Sequence, residues 1–359
     1  MLFKERVKKL IVLSRRVIKD CALENGAIVA ANTDKSYVPR NAANYRWVWP
    51  RDAAFIIYAA DLLKLSIAEP FFSWLETNCQ DLQREKRLYG NYATNGRKGS
   101  IAYFEPDQMG TMLWIIQHHF ETKKRQNKKF VNLVNCLADG LVNIWDKDHF
   151  SKHTVDLWEE GHRQTSTTIK NNFTYSLAAC ARGLLSADTD TSNHIWKETA
   201  LQMIEQINQA YNQEDGYFYR NRGKLIDKNV DSSLLGLIWP FAIYDIDDPK
   251  IVKMVDKIEK NLVVNGGVHR YQFDYYDGEG SAQEGSGGWP ILNFWLSIYW
   301  SLKKDKKKAL AYYRWVIMRL ESTDGYIPEQ IFDDFRIGVY PLAWSHAMFV
   351  IASHFLGYL

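Results

Sequence analysis

Apolar and charged positions alternate along this chain in two distinct registers. Segments such as KERVKKLIVLSRRVIKD (residues 4–20) and KIVKMVDKIEKN (residues 250–261) carry apolar residues on one helical face and Lys, Arg, Asp or Glu on the other, the pattern of a helix with one side to a core and one to water. Between them lie GWPILNFWLSIYW, SLLGLIWPFAIY and PLAWSHAMFVIASHF, which have almost no formal charge on any side. A helix apolar all round is buried all round or spans a membrane, and these are too short, and too interrupted by Pro240, Pro290 and His346, to be spans. The periodicity and its breakers predict about twelve helices, at roughly 3–24, 51–63, 67–86, 107–122, 128–144, 168–186, 191–213, 230–244, 248–263, 288–302, 305–321 and 340–357, with no convincing strand.

Odd-numbered segments are amphipathic and charged, and the even-numbered ones are far more apolar, with almost no formal charge in three of them. Connections alternate too: only a few residues follow each even segment, and long loops of roughly 16 to 26 residues follow the odd ones. Short turns force antiparallel neighbours. Six outer–inner hairpins whose inner helices ring a common axis would place every long loop at one end. The expected fold is therefore all-α, an (α/α)6 barrel over residues 1–359 as a single domain, with its site at the long-loop end. An open α-solenoid is the rival layout, but its inner helices would keep one polar side at the concave face.

Aromatic residues make up 14% of the chain, with 13 Trp and 20 Tyr. That excess suits helix packing, or a pocket whose flat faces stack on sugar rings, since pyranose faces are apolar and their rims are hydroxyls. A net charge of +3 is too weak a bias for a nucleic-acid partner, and the short Lys runs read as solvated turns. The four cysteines (Cys21, Cys79, Cys136, Cys180) lack metal or disulfide spacing, and His162, His269 and His346 lack helical i, i+4 pairing, so hydrogen-bonding roles are expected and no metal or cofactor. Charge interrupts every apolar run of the first twenty residues, so no signal peptide and no membrane partner are expected, and the expected location is cytoplasmic. The sequence does not set the oligomeric state.

Candidate chemistry concentrates in the long loops and the first turns of the inner helices. NYRWVWPRDAAF places Arg51 and Asp52 just inside a helix that opens on Pro50. Asp52 could be a helix-dipole partner, but a buried Arg–Asp pair is costly unless something polar binds there. TVDLWEEGHRQTSTT brings Asp156, Glu159 and Glu160 around Trp158; DGYIPEQIFDDF carries Glu329, with Asp333 and Asp334 as surface alternatives; YFEPDQMGT carries Asp107. GGVHRYQFDYYDGEGSAQEGSGGW carries Arg270, Tyr271, Asp274 and Trp289 in a glycine-rich stretch suited to a cover. Glycoside hydrolysis needs two carboxyl groups on opposite sides of one bond, one protonated and one ionised, and acids distant in sequence at one barrel mouth allow that.

NYRWVWPRDAAF, DLWEE, GGVHRY, the GGWP leading into LNFWL, and PEQ followed by PLAWSHA occur here in an order that resembles glycoside hydrolase family 15, the glucoamylases with their glucodextranase and trehalase relatives. The resemblance runs from about Gly26 to Ser353. It implies Glu159 as general acid, Glu160 on the leaving-group side and Glu329 as general base. It also implies Arg51 and Asp52 on the hydroxyls of a terminal glucose, Tyr45, Trp49, Trp158 and Trp289 lining its subsite, and Asp107 and Arg270 at the site. Glu159 would hold its proton through burial beside Trp158 and the neighbouring Glu160 carboxylate. The activity implied is an inverting, exo-acting α-glucosidase releasing β-glucose from short oligosaccharides, with an α-1,6-specific glucohydrolase or a trehalase as the alternative. Relatives that add a β-sandwich or a starch-binding domain have no counterpart expected here. A regulatory, sugar-sensing domain is the non-enzymatic rival, and the presence of both Glu159 and Glu329 speaks against it.

Overall fold

The computed structural model describes residues 3–101, 103–160, 164–188, 194–224, 226–274, 287–332 and 338–359. Its α-helices are α1 (Phe3–Cys21), α2 (Pro50–Leu62), α3 (Ala68–Asn78), α4 (Gln80–Glu85), α5 (Pro106–Thr122), α6 (Val131–Ile144), α7 (Thr174–Ala187), α8 (His194–Ala210), α9 (Pro249–Leu262), α10 (Pro290–Leu302), α11 (Lys306–Ile317) and α12 (Ala343–Phe355). α2, α5, α7, a 3-10 helix at Ser232–Leu237, α10 and α12 form the inner ring: each packs on the next, and α12 packs back on α2. The ring is closed, so the fold is the (α/α)6 barrel and not the solenoid.

Burial follows charge. All residues of α12 from Ala343 to Ser353 and of α10 from Pro290 to Tyr299 are buried, whereas α9 buries a stripe of Ile251, Met254, Val255, Ile258 and Leu262, and α1 one of Val7, Leu10, Ser14, Val17, Ile18 and Cys21. Three hairpin turns that leave inner helices carry a lysine at positive φ, Lys64, Lys124 and Lys304, where the chain reverses after a helix end. Among the described residues no helix is long and apolar enough to cross a membrane.

Three expectations fail for local reasons. Residues 230–244 do not form an α-helix: after Ser232–Leu237 the chain turns through Trp239-Pro240, a cis peptide, with Ala242 at φ 46°. Proline has no N–H for the ladder and excludes the helical region at the residue before it. The segment 67–86 is broken at Cys79, which is extended. Strands do occur, as two-residue ladders: Trp145–Asp146 with His149–Phe150, Tyr211–Asn212 with Tyr217–Phe218, Val263–Val264 with Gly267–Val268, and Asn172–Phe173 with Asn221–Arg222. Three are tight hairpins that reverse the chain after an outer helix, too short to leave a period of two.

α5 and α7 approach most closely at Gly110 and Gly183. A Cβ built on Gly110 would stand 2.4 Å from the Ala179 carbonyl carbon and oxygen, and one on Gly183 would stand 2.4 Å from the Gly110 oxygen. Because the obstacle is backbone, whole helices would have to part. Gly110→Ala or Gly183→Ala is expected to cost about 1–3 kcal/mol or more, read as a lower urea midpoint with an unchanged slope; a wild-type midpoint would refute the close approach.

Candidate active site

Three inner helices open on the same device. Trp49-Pro50, Glu105-Pro106 and Trp289-Pro290 begin α2, α5 and α10, with the residue before each proline extended and no side-chain cap. Proline enforces the extended residue before it and suits the first helical turn itself. Trp49 and Trp289 thereby face the barrel mouth and Glu105 turns under it. A backbone donor left by the missing cap on α2 is taken from the side: Arg51 N donates to Gln108 Oε1 at 2.6 Å.

These elements enclose a cavity of about 190 Å³ whose wall includes Tyr45, Trp49, Arg51, Asp52, Trp158, Glu159, Arg270, Trp289, Glu329 and Trp344. Of the candidate residues, nine therefore meet at one cavity. Asp107 and Glu160 do not line it. Asp107 is fully buried beneath Arg51, with Ser176 Oγ donating to it at 3.4 Å. Glu160 is buried behind the wall, where it accepts from Arg220 at 3.2 Å, Arg270 at 3.5 Å and the Tyr271 hydroxyl. Both act on the groups that form the wall. His162, Asp333, Asp334 and residues 275–286 lie outside the described residues.

Arg51 is the hub of the floor. Its guanidinium lies 3.0 Å from Glu105, 2.9 Å from Glu159, 3.4 Å from Asp52 and 3.5 Å from Asp107, with the Trp344 ring centre 5.5 Å away. One positive charge cannot hold four buried carboxylates ionised. Burial accordingly pushes Asp52 up to about 7 and Asp107 up to about 6, against the pull of Arg51. It lifts Glu105 well above the usual carboxyl range, with Glu159 adding to the effect.

Glu159 is raised by burial and held back by Arg51 and by a hydrogen bond from Trp49. The neighbouring Glu160 carboxylate, expected from the sequence to help raise it, is turned away and ion-paired to Arg220 and Arg270. Glu329 is pushed up to about 7 by burial, against Arg270 and the Tyr45 hydroxyl, which donates to it at 3.3 Å. The Glu329 backbone is fixed by its N–H on Val339 O at 2.9 Å and by the Gly288–Ile331 bridge. His346 anchors the same loop: Ile327 N donates to its Nε2 at 3.0 Å while Nδ1 meets Ser14 Oγ at 2.9 Å. Burial lowers His346 to about 3, so it stays neutral.

Arg270 completes the wall, with ring centres of Trp158 and Trp289 at 5.2 and 4.9 Å and a two-point pair to Asp274 at 2.5 and 2.6 Å. Three residues essential to this arrangement escape sequence reasoning. Glu105 was findable, since its Glu-Pro doublet repeats the Trp-Pro doublets that open α2 and α10. Arg220 and Asp231 were not: Arg220 is one of several charges (Arg222, Lys224) in a polar segment, and Asp231 reads as an ordinary acidic residue opening the segment expected at 230–244. Among the described residues no group of three His, Cys, Asp or Glu is placed to hold a metal ion.

A family model described as glycosyl hydrolases family 15 matches residues 106–317. An uncharacterized glycosyl hydrolase of Methanocaldococcus jannaschii is 29% identical over 350 residues, 91% of this chain and 52% of that protein, so the chain spans about half of that relative. Isomaltose glucohydrolase of Kribbella flavida is 27% identical over 297 residues, 77% of this chain and 71% of that protein. A solved glycosidase variant in complex with glucose has a TM-score of 0.79 at 22% identity, over 99% of this chain and 98% of that one.

The raised acids make stability depend on pH. A carboxyl whose folded pKa exceeds its unfolded value favours the fold fully below the unfolded value and loses that contribution as pH rises through the folded one. With Asp107 and Asp231 at about 6 and Asp52 and Glu329 at about 7, the melting temperature should fall as pH rises from 5 to 8. Glu105→Gln mimics the protonated acid and should flatten that slope. An unchanged slope would show that Glu105 does not carry a proton in the fold.

Proposed function

This chain belongs to glycosyl hydrolases family 15, and from that premise we propose that it is an inverting, exo-acting α-glucosidase. It releases β-glucose from the non-reducing end of short α-linked oligosaccharides, with Glu159 as general acid and Glu329 as general base. The observation that carries the reading is the meeting of these two carboxyls in one aromatic-walled cavity whose floor presents Arg51 and Asp52. On this reading the terminal sugar sits in the cavity, against Arg51 and Asp52, and the bond to be broken lies between Glu159 and Glu329 on the cavity wall.

Arg51 Nε and Asp52 Oδ1 lie 3.4 Å apart, and both residues line the cavity. An acceptor and a donor side by side match two adjacent sugar hydroxyls, and a chain continuing past them would meet the floor. Glu159 gives its proton to the glycosidic oxygen as the bond to C1 breaks. Glu329 takes a proton from the water that attacks C1 from the opposite face, so the anomeric configuration inverts. Trp158, Trp289 and Tyr45 shield the site and offer faces for the ring. The non-reducing sugar is recognised and the leaving group only tolerated, so the linkage is decided at the mouth. Similarity to an isomaltose glucohydrolase favours α-1,6 over α-1,4 and over the α,α-1,1 bond of trehalose.

Proton NMR of the anomeric region, with isomaltose, maltose and trehalose as substrates, tests linkage and stereochemistry together. β-Glucose should accumulate first, and fastest from isomaltose; initial α-glucose would overturn the inverting mechanism. Glu159→Gln and Glu329→Gln should each lower kcat on the cleaved disaccharide by about 10²–10⁴-fold with little change in melting temperature. Wild-type turnover by either variant would remove its residue from the mechanism.

A further inference from the structure

Glu159 and Glu160 are adjacent and chemically identical, yet only Glu159 lines the cavity. We propose that Arg220 makes this choice: it is a positioning residue for the general acid, clasping the residues on both sides of Glu159 so that Glu159 alone turns toward the sugar. The inference rests on Glu159 being the acid.

Arg220 is 1% exposed and does not touch the cavity. Its Nε and Nη2 meet Asp156 at 2.8 and 3.1 Å, Nη2 also reaches Glu160 at 3.2 Å, and Nε lies 3.2 Å from Asp231. Asp156 in turn builds the acid-bearing turn: its Oδ1 accepts from Trp158 N at 3.1 Å and its carbonyl from Glu159 N at 2.9 Å. Asp231 holds the outer edge of the same turn by accepting from Trp158 Nε1 at 3.2 and 3.1 Å. Glu159 between them has φ 61°, a left-handed conformation uncommon for a residue with a side chain.

The clasp is itself anchored. Thr174 N donates to Arg220 O at 3.0 Å and Thr174 Oγ1 to Tyr219 O at 2.6 Å, which fastens the arginine backbone to the first residue of α7. The Tyr271 ring lies 4.4 Å from the guanidinium carbon, and the Tyr271 hydroxyl donates to Glu160 from the far side. A planar fork can serve three carboxylates in fixed directions, whereas an ammonium supplies charge without that geometry. Arg220 therefore contributes direction as well as neutralisation.

The test separates acid positioning from general damage by changing the leaving group. α-Glucosyl fluoride releases fluoride without needing a proton from Glu159, but it still needs the sugar site and the Glu329-activated water. Kinetics are measured for Arg220→Lys, and for Asp156→Asn, which keeps the shape of its side chain and tests the same clasp from the other end. Folding of both is checked by circular dichroism and thermal melting. On the disaccharide that the wild type cleaves, kcat should fall by about 100-fold, with KM within about threefold. On glucosyl fluoride kcat should stay within about fivefold. Equal losses on both substrates, or wild-type turnover of the disaccharide by folded Arg220→Lys, would overturn the assignment. A wild type inactive on every α-glucoside and on the fluoride would instead sink the α-glucosidase reading itself.

Discussion

The structure depends on a shortage of positive charge. At the barrel mouth one guanidinium, Arg51, lies within 3.5 Å of four carboxyl groups. Removing a carboxylate from water costs several kcal/mol, and a single cation cannot compensate four. The site resolves this by keeping protons: burial lifts Glu105 well above the usual carboxyl range, Asp52 to about 7 and Asp107 to about 6. A surface site would have no such reservoir, because solvent would stabilise every carboxylate. Burial by Trp49, Trp158, Trp289 and Trp344 is thus a chemical condition of the site as well as a steric one. Among these groups lies Glu159, whose proposed task requires it to hold a proton at the start of each turnover.

The barrel supplies the rigidity that such electrostatics need. Charges are useful here only if they cannot relax toward one another. The closed inner ring, the backbone-tight contact of Gly110 with Gly183, and the proline-started helices α2, α5 and α10 hold the floor in place. The loops are fastened separately, through His346 to Ile327 below Glu329 and through the Gly288–Ile331 bridge beside it. The two proposed catalytic carboxyls therefore hang from different supports, Glu159 from the loop before α7 and Glu329 from the loop before α12. Their separation is a property of the ring, not of local chain geometry.

The ring was legible in the sequence because several inner helices are apolar on nearly every face, a pattern that a solvent-exposed helix does not show. Its one irregular member was misread for an instructive reason. SLLGLIWPFAIY has the composition of an inner helix, and composition cannot register that Trp239-Pro240 turns the chain after a single 3-10 segment. The two-residue ladders fall below any detectable period. At the site, the wall residues were legible because they sit in aromatic-rich motifs beside breakers, while the groups behind the wall were not. Arg220 comes from a segment that reads as an ordinary polar loop and Asp231 from the opening of an expected helix, and their importance is visible only when Asp156, Glu160 and Trp158 close on them. Asp107 was found, but its depth was not: as the second residue of α5 it points to the Arg51 hub beneath the cavity, whereas Arg51 and Asp52, opening α2, line the cavity itself.

The adjacent glutamates show why the layer behind the wall carries specificity of role. In an extended segment consecutive side chains alternate sides, so two neighbouring acids would diverge without help. Here the chain is a turn, and Glu159 takes a left-handed conformation that costs on the order of 1–3 kcal/mol. That cost is offset only if both acids gain from the arrangement. Glu159 gains Arg51 and Trp49, and Glu160 gains Arg220, Arg270 and Tyr271. Reversing the two would leave Glu160 facing a single shared arginine and Glu159 facing two already paired ones, with no change in formal charge. The distinction between an acid that meets sugar and one that does not therefore lies in which arginines each can reach, and those arginines are placed by helices and hairpins remote in sequence from the Glu-Glu pair.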